Sequence, residues 1–428
     1  MRAPALPLYI LLLSLLHSLL APIHLASLQA IACLVFALLA CQSLHPADLC
    51  RGFPCLLSAR SRQGFKRVRR ALHRPQLGSA WLTPLLVRAG LRLLGQGQVR
   101  VVLDSSRCRR WEVFTLGLVL SGRVLPVAWS VLAYPWPKKS FTPAVLALLE
   151  RLLSCWPSER PLHLLADRGF PSLKLFCLLE RHAKHLPLGY SVRLRASDYV
   201  RLEDGQATSV GSLEAGLTVG EWHSLAASYQ QRGKTGPKTL LVIGRGEPCY
   251  PAHQMGPSDC ARREERARRR LVHLQSKKQA QTLYTDRAWA LLTTEQTPAS
   301  AASQYRLRFS TEGTYRDLKS WDLEAVVGQE QDRQALDGLL GLAALGYFVQ
   351  VALGWKAGRT QQLGARARQS QWTTTDRISL FWRGRQVLHD PAWDWTDWLD
   401  TTLHELTQDL LASSQTYQCE CQPLRIAA

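Results

Sequence analysis

Six side chains have the types and spacing for chemistry on a phosphate. Asp104 ends the apolar run VRVVLD (Val99–Asp104), and Asp167 directly follows LHLLA (Leu162–Ala166). Further along, YRLRFSTEGTYRDLK places Tyr305, Arg308, Glu312 and Lys319 at intervals of three, four and seven. On an α-helix those offsets return to one face. A helix stripe usually faces a core and is apolar; this one carries an aromatic, two cations and a carboxylate. Three carboxylates offer the hard oxygens that suit Mg²⁺, with Mn²⁺ able to substitute. Two such ions, roughly 3.5–4 Å apart, activate a nucleophile and stabilise a leaving oxygen in phosphoryl transfer. Each acid also has a plainer role open to it. Asp104 could cap a turn through DSS, Asp167 could pair with Arg168, and Glu312 could pair with Arg308 or Arg316.

The elements that must hold these acids can be read from the change of period. From Val99 the pattern turns β-like: Val99–Asp104, then Phe114–Leu120 and Val124–Val131 joined at Ser121-Gly122-Arg123, a hairpin signal. Pro143 suits the first turn of a helix that Trp156-Pro157 ends. Leu162–Ala166 is a buried strand, Pro171 opens a further helix, and Tyr190–Arg195 is another strand. The order β-β-β-α-β-α-β predicts a mixed α/β sheet in which the first and fourth strands are neighbours, each ending in an aspartate. Rigid strand ends fix two acids more closely than loops do.

Around this core the chain divides into five stretches. Residues 1–95 form a helical N-terminal region and 96–195 the first part of the core. Residues 196–300 are a β-rich insertion carrying the basic cluster Arg262–Arg270. Residues 301–358 return to helix with the Glu312 segment, and 359–428 are a helical tail with candidates at Ser379–Leu388 and Trp393–Leu411. Two apolar runs, Pro7–Cys41 and Leu336–Leu353, are read as buried helices rather than membrane spans or a signal peptide. His17, Pro22, His24 and Gln29 interrupt the first, and four polar or glycine positions interrupt the second.

The 428 residues carry 53 Lys and Arg against 33 Asp and Glu, a formal charge of +20. A protein this basic meets nucleic acid through phosphate neutralisation and counterion release. Arg60–Arg74 repeats its cations at helical spacing beside Phe65, Val68 and Leu72, which suits a basic helix face on DNA. The eleven cysteines are scattered without any CxxC pair, and Cys50 and Cys55 with His45 are poorly spaced for zinc. They read as small buried hydrophobes in a reducing compartment.

Asp104, the ADRGF segment around Asp167, and the set Tyr305-x2-Arg308-x3-Glu312-x6-Lys319 together resemble the DDE transposases of bacterial insertion sequences, in the subgroup with the YREK signature. The resemblance covers roughly residues 60–390. It implies an RNase H-like core interrupted by a β-rich insertion between the second aspartate and the glutamate. It implies Mg²⁺-dependent nicking at transposon ends and strand transfer by a free 3′-OH, often through a hairpin intermediate. Asp104, Asp167 and Glu312 would then be the catalytic metal ligands, and Tyr305, Arg308 and Lys319 would contact phosphates at the DNA end. The partners implied are double-stranded DNA, as transposon ends and as target, and a second copy of the chain when two ends are paired. No membrane is implied, and the setting is cytoplasmic and nucleoid-associated in a bacterium. An inserted-domain tryptophan stacks on a flipped base in this subgroup, for which Trp222 is a candidate; core packing is its plainer role. Trp321 departs from the smaller residues the family has just after the lysine.

Overall fold

Strand formation starts where helical spacing stops, at Val99. The computed structural model describes residues 9, 12–13, 24–52, 61–136, 140–218, 220–245, 288–359 and 379–389, the backbone alone at 61–63, 356–359 and 389. Strands β1 (Val99–Cys108), β2 (Trp111–Leu120) and β3 (Arg123–Ala133) form an antiparallel meander. Ser121 and Gly122 make the β2–β3 turn with φ of 46° and 74°. A tight hairpin needs that left-handed geometry to follow the twist of its strands. Helix α5 (Thr142–Ser154) leads to β4 (Leu162–Ala166), and α6 (Leu173–Ala183) leads to β5 (Leu188–Arg193). Helix α6 is capped by Ser172, whose hydroxyl accepts from the Leu175 amide. Strands β4 and β5 run parallel to β1. The element order expected over residues 99–195 is the order observed.

The β-rich stretch that follows contains β6 (Tyr199–Leu202), β7 (Ala207–Ser209), helix α7 (Val210–Ala215), β8 (Trp222–Gln231), β9 (Lys234–Arg245) and β10 (Ala288–Thr293). These strands do not stand apart from the core. Strand β10 pairs antiparallel with β5, Leu292 opposite Val192, so one mixed ten-stranded sheet runs β3-β2-β1-β4-β5-β10-β9-β8-β6-β7. The Arg262–Arg270 cluster and the Trp393–Leu411 candidate lie outside the described residues.

The remaining helices bury the sheet. On the N-terminal side are α1 (Leu25–Cys41), α2 (Pro46–Gly52), α3 (Ser61–Leu72) and α4 (Ser79–Leu94). After β10 come α8 (Pro298–Arg306), a 3₁₀ turn (Leu307–Phe309), α9 (Ser310–Lys319), α10 (Leu323–Gln329), α11 (Arg333–Arg359) and α12 (Leu380–His389). Both apolar runs are packed into protein where they are described. Arg333–Trp355 is the one described helix long and apolar enough to cross a membrane, and its most apolar window is 89% buried. It packs on α1, α3, α4, α12 and β3. Its glycines explain how closely: a Cβ on Gly338 would lie 1.9 Å from the Leu72 carbonyl oxygen, and one on Gly341 1.8 Å from that of Leu77. Any side chain there would push α11 off the N-terminal helices.

The departure at Trp321 has a local reason. Its ring is fully buried and packs on Tyr347 and Phe381. Its Nε1 donates to Gln42 Oε1 at 3.1 Å, and Gln42 donates to Gln350 Oε1 at 3.0 Å. One side chain thus ties the end of α9 to α1, α11 and α12.

Candidate active site

Register alone brings the two aspartates together. Strands β1 and β4 pair in parallel with Val102 opposite Leu165 and Leu103 opposite Ala166. The next step along each strand is Asp104 and Asp167. Side chains alternate between sheet faces. Val101, Leu103, Leu164 and Ala166 belong to the main core, while Val102 and Leu165 face a small separate cluster with Val124. Asp104 and Asp167 therefore emerge on the second face, beneath the α8–α9 segment.

That segment is not the single helix its spacing suggests. The 3₁₀ turn at Leu307–Phe309 separates α8 from α9 and shifts the phase of everything after it. Tertiary packing explains the break. Leu307 packs into the Val102/Val124/Leu165 cluster, and Phe309 packs on Trp289 and Tyr305. The four stripe residues consequently divide into two pairs. Tyr305 is 0% and Arg308 8% exposed, whereas Glu312 and Lys319 are both exposed.

The inner pair reaches both acids. Tyr305 donates to Asp167 Oδ1 at 2.9 Å. Arg308 Nη1 lies 3.5 Å from Asp104 Oδ2 and 3.9 Å from Asp167 Oδ2. Thr311, which the sequence reading passed over, donates from its hydroxyl to Asp104 Oδ2 at 2.8 Å. The Ser105 amide donates to Asp104 Oδ1 at 2.9 Å, so the turn-capping role is present beside the convergent one. Across the β1–β2 pair, Thr115 sits opposite Asp104 and bonds Tyr315 of α9 at 2.9 Å.

The two carboxyls are driven apart electrostatically. Burial raises the pKa of Asp104, and the Asp167 charge adds to it, against the pull of Arg308, Thr311 and the Ser105 amide. Burial also acts on Asp167, but Arg308, the Arg168 amide, Tyr305 and Arg193 hold it below its ordinary value. Burial above all raises the Tyr305 hydroxyl, which stays protonated as a donor.

The outer pair is exposed. Glu312 lies in the first turn of α9, exposed, with no hydrogen bond or ion pair among the described residues. Lys319 pairs with Glu324 at 3.0 Å on the surface. Among the other acids near Glu312, Asp317 is 1% exposed and bound by Arg123 Nε at 2.6 Å, with Tyr347 donating at 3.1 Å. Trp222 packs in the cluster with Trp289 and Tyr305, its ring so close over Gly244 that a Cβ there would sit 2.0 Å away.

The donor set fits a hard cation in part. Two carboxylate oxygens converge on one guanidinium nitrogen, so a positive centre already occupies the space they share. Among the described residues no three His, Cys, Asp or Glu side chains form a group that would hold a metal ion. An open groove borders Asp167, lined by Arg168, Arg193, Arg195, Ser197 and Glu214. Its three arginines outnumber the two carboxylates, Asp167 and Glu214, by one. Comparison with protein-family models and with curated proteins finds no match.

Proposed function

We propose that the chain is a DNA-processing enzyme of the polynucleotidyl-transferase type, a transposase that cuts DNA at element ends and joins them to a target. The observation that carries this reading is the β1–β4 register, which sets Asp104 beside Asp167 under Tyr305, Arg308 and Thr311. The strand order 3-2-1-4-5, with β2 antiparallel and β4 and β5 parallel to β1, supports reading the sheet as RNase H-like, with the strands after β5 as its insertion. Asp104 and Asp167, joined by Glu312, would hold Mg²⁺ (or Mn²⁺), which when bound supplies nucleophile activation and leaving-group stabilisation.

The chain's own residues do the rest. Tyr305 and Thr311 fix the two carboxylates by hydrogen bonds, so the pair is oriented before substrate arrives. The groove with Arg168, Arg193 and Arg195 lies where a strand leaving the acids would run. Helix α3 buries Val68 and Leu72 and exposes Lys66, Arg67, Arg69 and Arg70, a second cationic face for duplex phosphate. The proposal includes pairing of two ends by two copies of the chain, and a cytoplasmic, nucleoid-associated setting.

A second reading, a catalytically silent DNA-binding relative of the same fold, is favoured by the exposed Glu312 and by the lack of a three-acid group among the described residues. One assay separates them. The DNA flanking the reading frame is incubated with wild-type protein in Mg²⁺ or EDTA, beside Asp104→Asn, Asp167→Asn and Glu312→Gln. The transposase reading requires Mg²⁺-dependent nicks with free 3′-OH ends that all three variants lose while still binding. Wild-type protein that binds these ends and never cuts them supports the silent relative.

A further inference from the structure

We propose that Arg308 is the resident cation of the acid pair: it neutralises Asp104 and Asp167 in the metal-free protein and yields that place when a divalent ion enters. This rests on the reading of the pair as a cation site.

The geometry distinguishes Arg308 from a structural arginine in the same molecule. Arg123 grips Asp317 at 2.6 Å, within the range of a direct charge-assisted hydrogen bond. Arg308 faces its two carboxylates at 3.5 and 3.9 Å, too long for either to be a locked hydrogen bond. It is only 8% exposed, and its Nε is buried without a hydrogen-bond partner among the described residues. An arginine so placed is held to the two carboxylates by charge rather than by its fork of donors. Rings flank it, with the Phe309 centroid at 4.8 Å and that of Tyr305 at 5.8 Å, and the Tyr305 hydroxyl takes a hydrogen bond from it, so a cationic head is favoured there without a direct bond to either carboxylate. Meanwhile each carboxylate keeps a separate holder, Thr311 for Asp104 and Tyr305 for Asp167. The acids would stay oriented after the guanidinium left.

The charges set the direction. Two carboxylates and Arg308 sum to one negative charge in a half-buried place, offset from the groove side by Arg193 beside Asp167. A divalent ion in that place balances both, and the arginine then repels it. Arginine and metal therefore compete, and a released Arg308 becomes available to phosphate. The arrangement keeps the acid pair quiet until metal and DNA arrive together.

The test uses full-length protein without DNA, titrated with Mn²⁺ and followed by the electron paramagnetic resonance signal of the free ion. Arg308→Gln should bind Mn²⁺ with a Kd at least about tenfold lower than wild type, since a like charge has been removed from beside the ion. The gain should vanish in Asp104→Asn/Arg308→Gln. Without divalent ion, Arg308→Gln should unfold at lower temperature than wild type, and Mn²⁺ should restore it. If Arg308→Gln folds only in Mn²⁺, the proposal stands; if Mn²⁺ fails to recover it, the proposal is overturned. Equal Mn²⁺ affinity in Arg308→Gln and wild type, with Asp104→Asn weaker than both, overturns the competition and leaves the cation site intact. No change on Asp104→Asn or Asp167→Asn in either background removes the cation site, and the proposal with it.

Discussion

Strand-borne and helix-borne residues of the candidate site behave differently. Asp104 and Asp167 come from segments 63 residues apart (167 − 104), yet a parallel ladder sets them side by side. Tyr305 to Lys319 are near neighbours in sequence, yet across a single 3₁₀ turn two are buried and two exposed. A sheet transmits position through hydrogen-bonded register, so an error of one residue would move every side chain to the other face. A helix transmits position through phase, which one tightened turn resets.

The sharpest way to break this contrast is to remove each acid in turn. Asp104→Asn or Asp167→Asn should lower Mg²⁺-dependent strand cleavage by about a thousandfold or more, equivalent to ~4 kcal/mol of transition-state stabilisation. Equal loss in Glu312→Gln would mean that metal or DNA rotates α9 until Glu312 joins the pair. Wild-type cleavage by Glu312→Gln would overturn the assignment of Glu312 as the third acid.

A second probe loosens the seat of α9. Asp317→Ala leaves the half-buried Arg123 without its carboxylate and should cost up to about 3 kcal/mol in urea unfolding. Because Thr314 also accepts from the Val124 amide at 2.7 Å, the helix keeps one tie to β3. An unchanged stability would show that this tie alone holds it.

The third probe lies deeper under the same face. His163 is fully buried; its Nε2 bonds Ser191 at 2.9 Å and its Nδ1 lies 3.3 Å from Glu295. Burial lowers its pKa from 6.5 to about 4, with Glu295 opposing and Arg100 assisting. Between those values the unfolded chain binds the proton and the folded one does not. Stability should therefore fall, by on the order of 3 kcal/mol, as pH drops from 6.5 towards 4. His163→Gln should flatten that part of the profile in thermal unfolding measured across pH. A profile that keeps its slope would place the proton elsewhere.

The smallest effect belongs to the outer pair. Lys319→Ala breaks an exposed contact with Glu324 and should change stability by less than about 1 kcal/mol. If Lys319 touches a phosphate, the salt dependence of DNA binding should lose about one unit of slope. An unchanged slope would count against that contact.

The strand acids were legible because apolar runs ending abruptly in aspartate carry their own geometry. VRVVLD and LHLLA-D mark the residue after each apolar run, but only Asp167 leaves its strand there: β1 continues past Asp104 to Cys108, paired with β2. The 3₁₀ turn was not legible, since Leu307, Arg308 and Phe309 contain no Gly or Pro to announce it. Their packing against Val102, Leu165 and Trp289 imposes it, and those partners are remote in sequence. The same reason hid the inward turn of Arg308 and the bond from Thr311. The joining of the later β-rich strands to β5 was also invisible, because edge pairing depends on which strand edges remain unpaired in space. Helix α11 was read correctly as buried because its glycines and Gln350 suit packing against protein.

The close seat of α11 carries a consequence for the order of synthesis. On composition alone this segment would be a substrate for membrane insertion. Helices α1, α3 and α4, on which its glycines pack through Leu38, the Leu72 backbone and Leu82, leave the ribosome before it does. The surface that conceals it is thus made first. Transplanting α11 ahead of those helices by circular permutation would present the same apolar segment to the cell with nothing yet made to cover it.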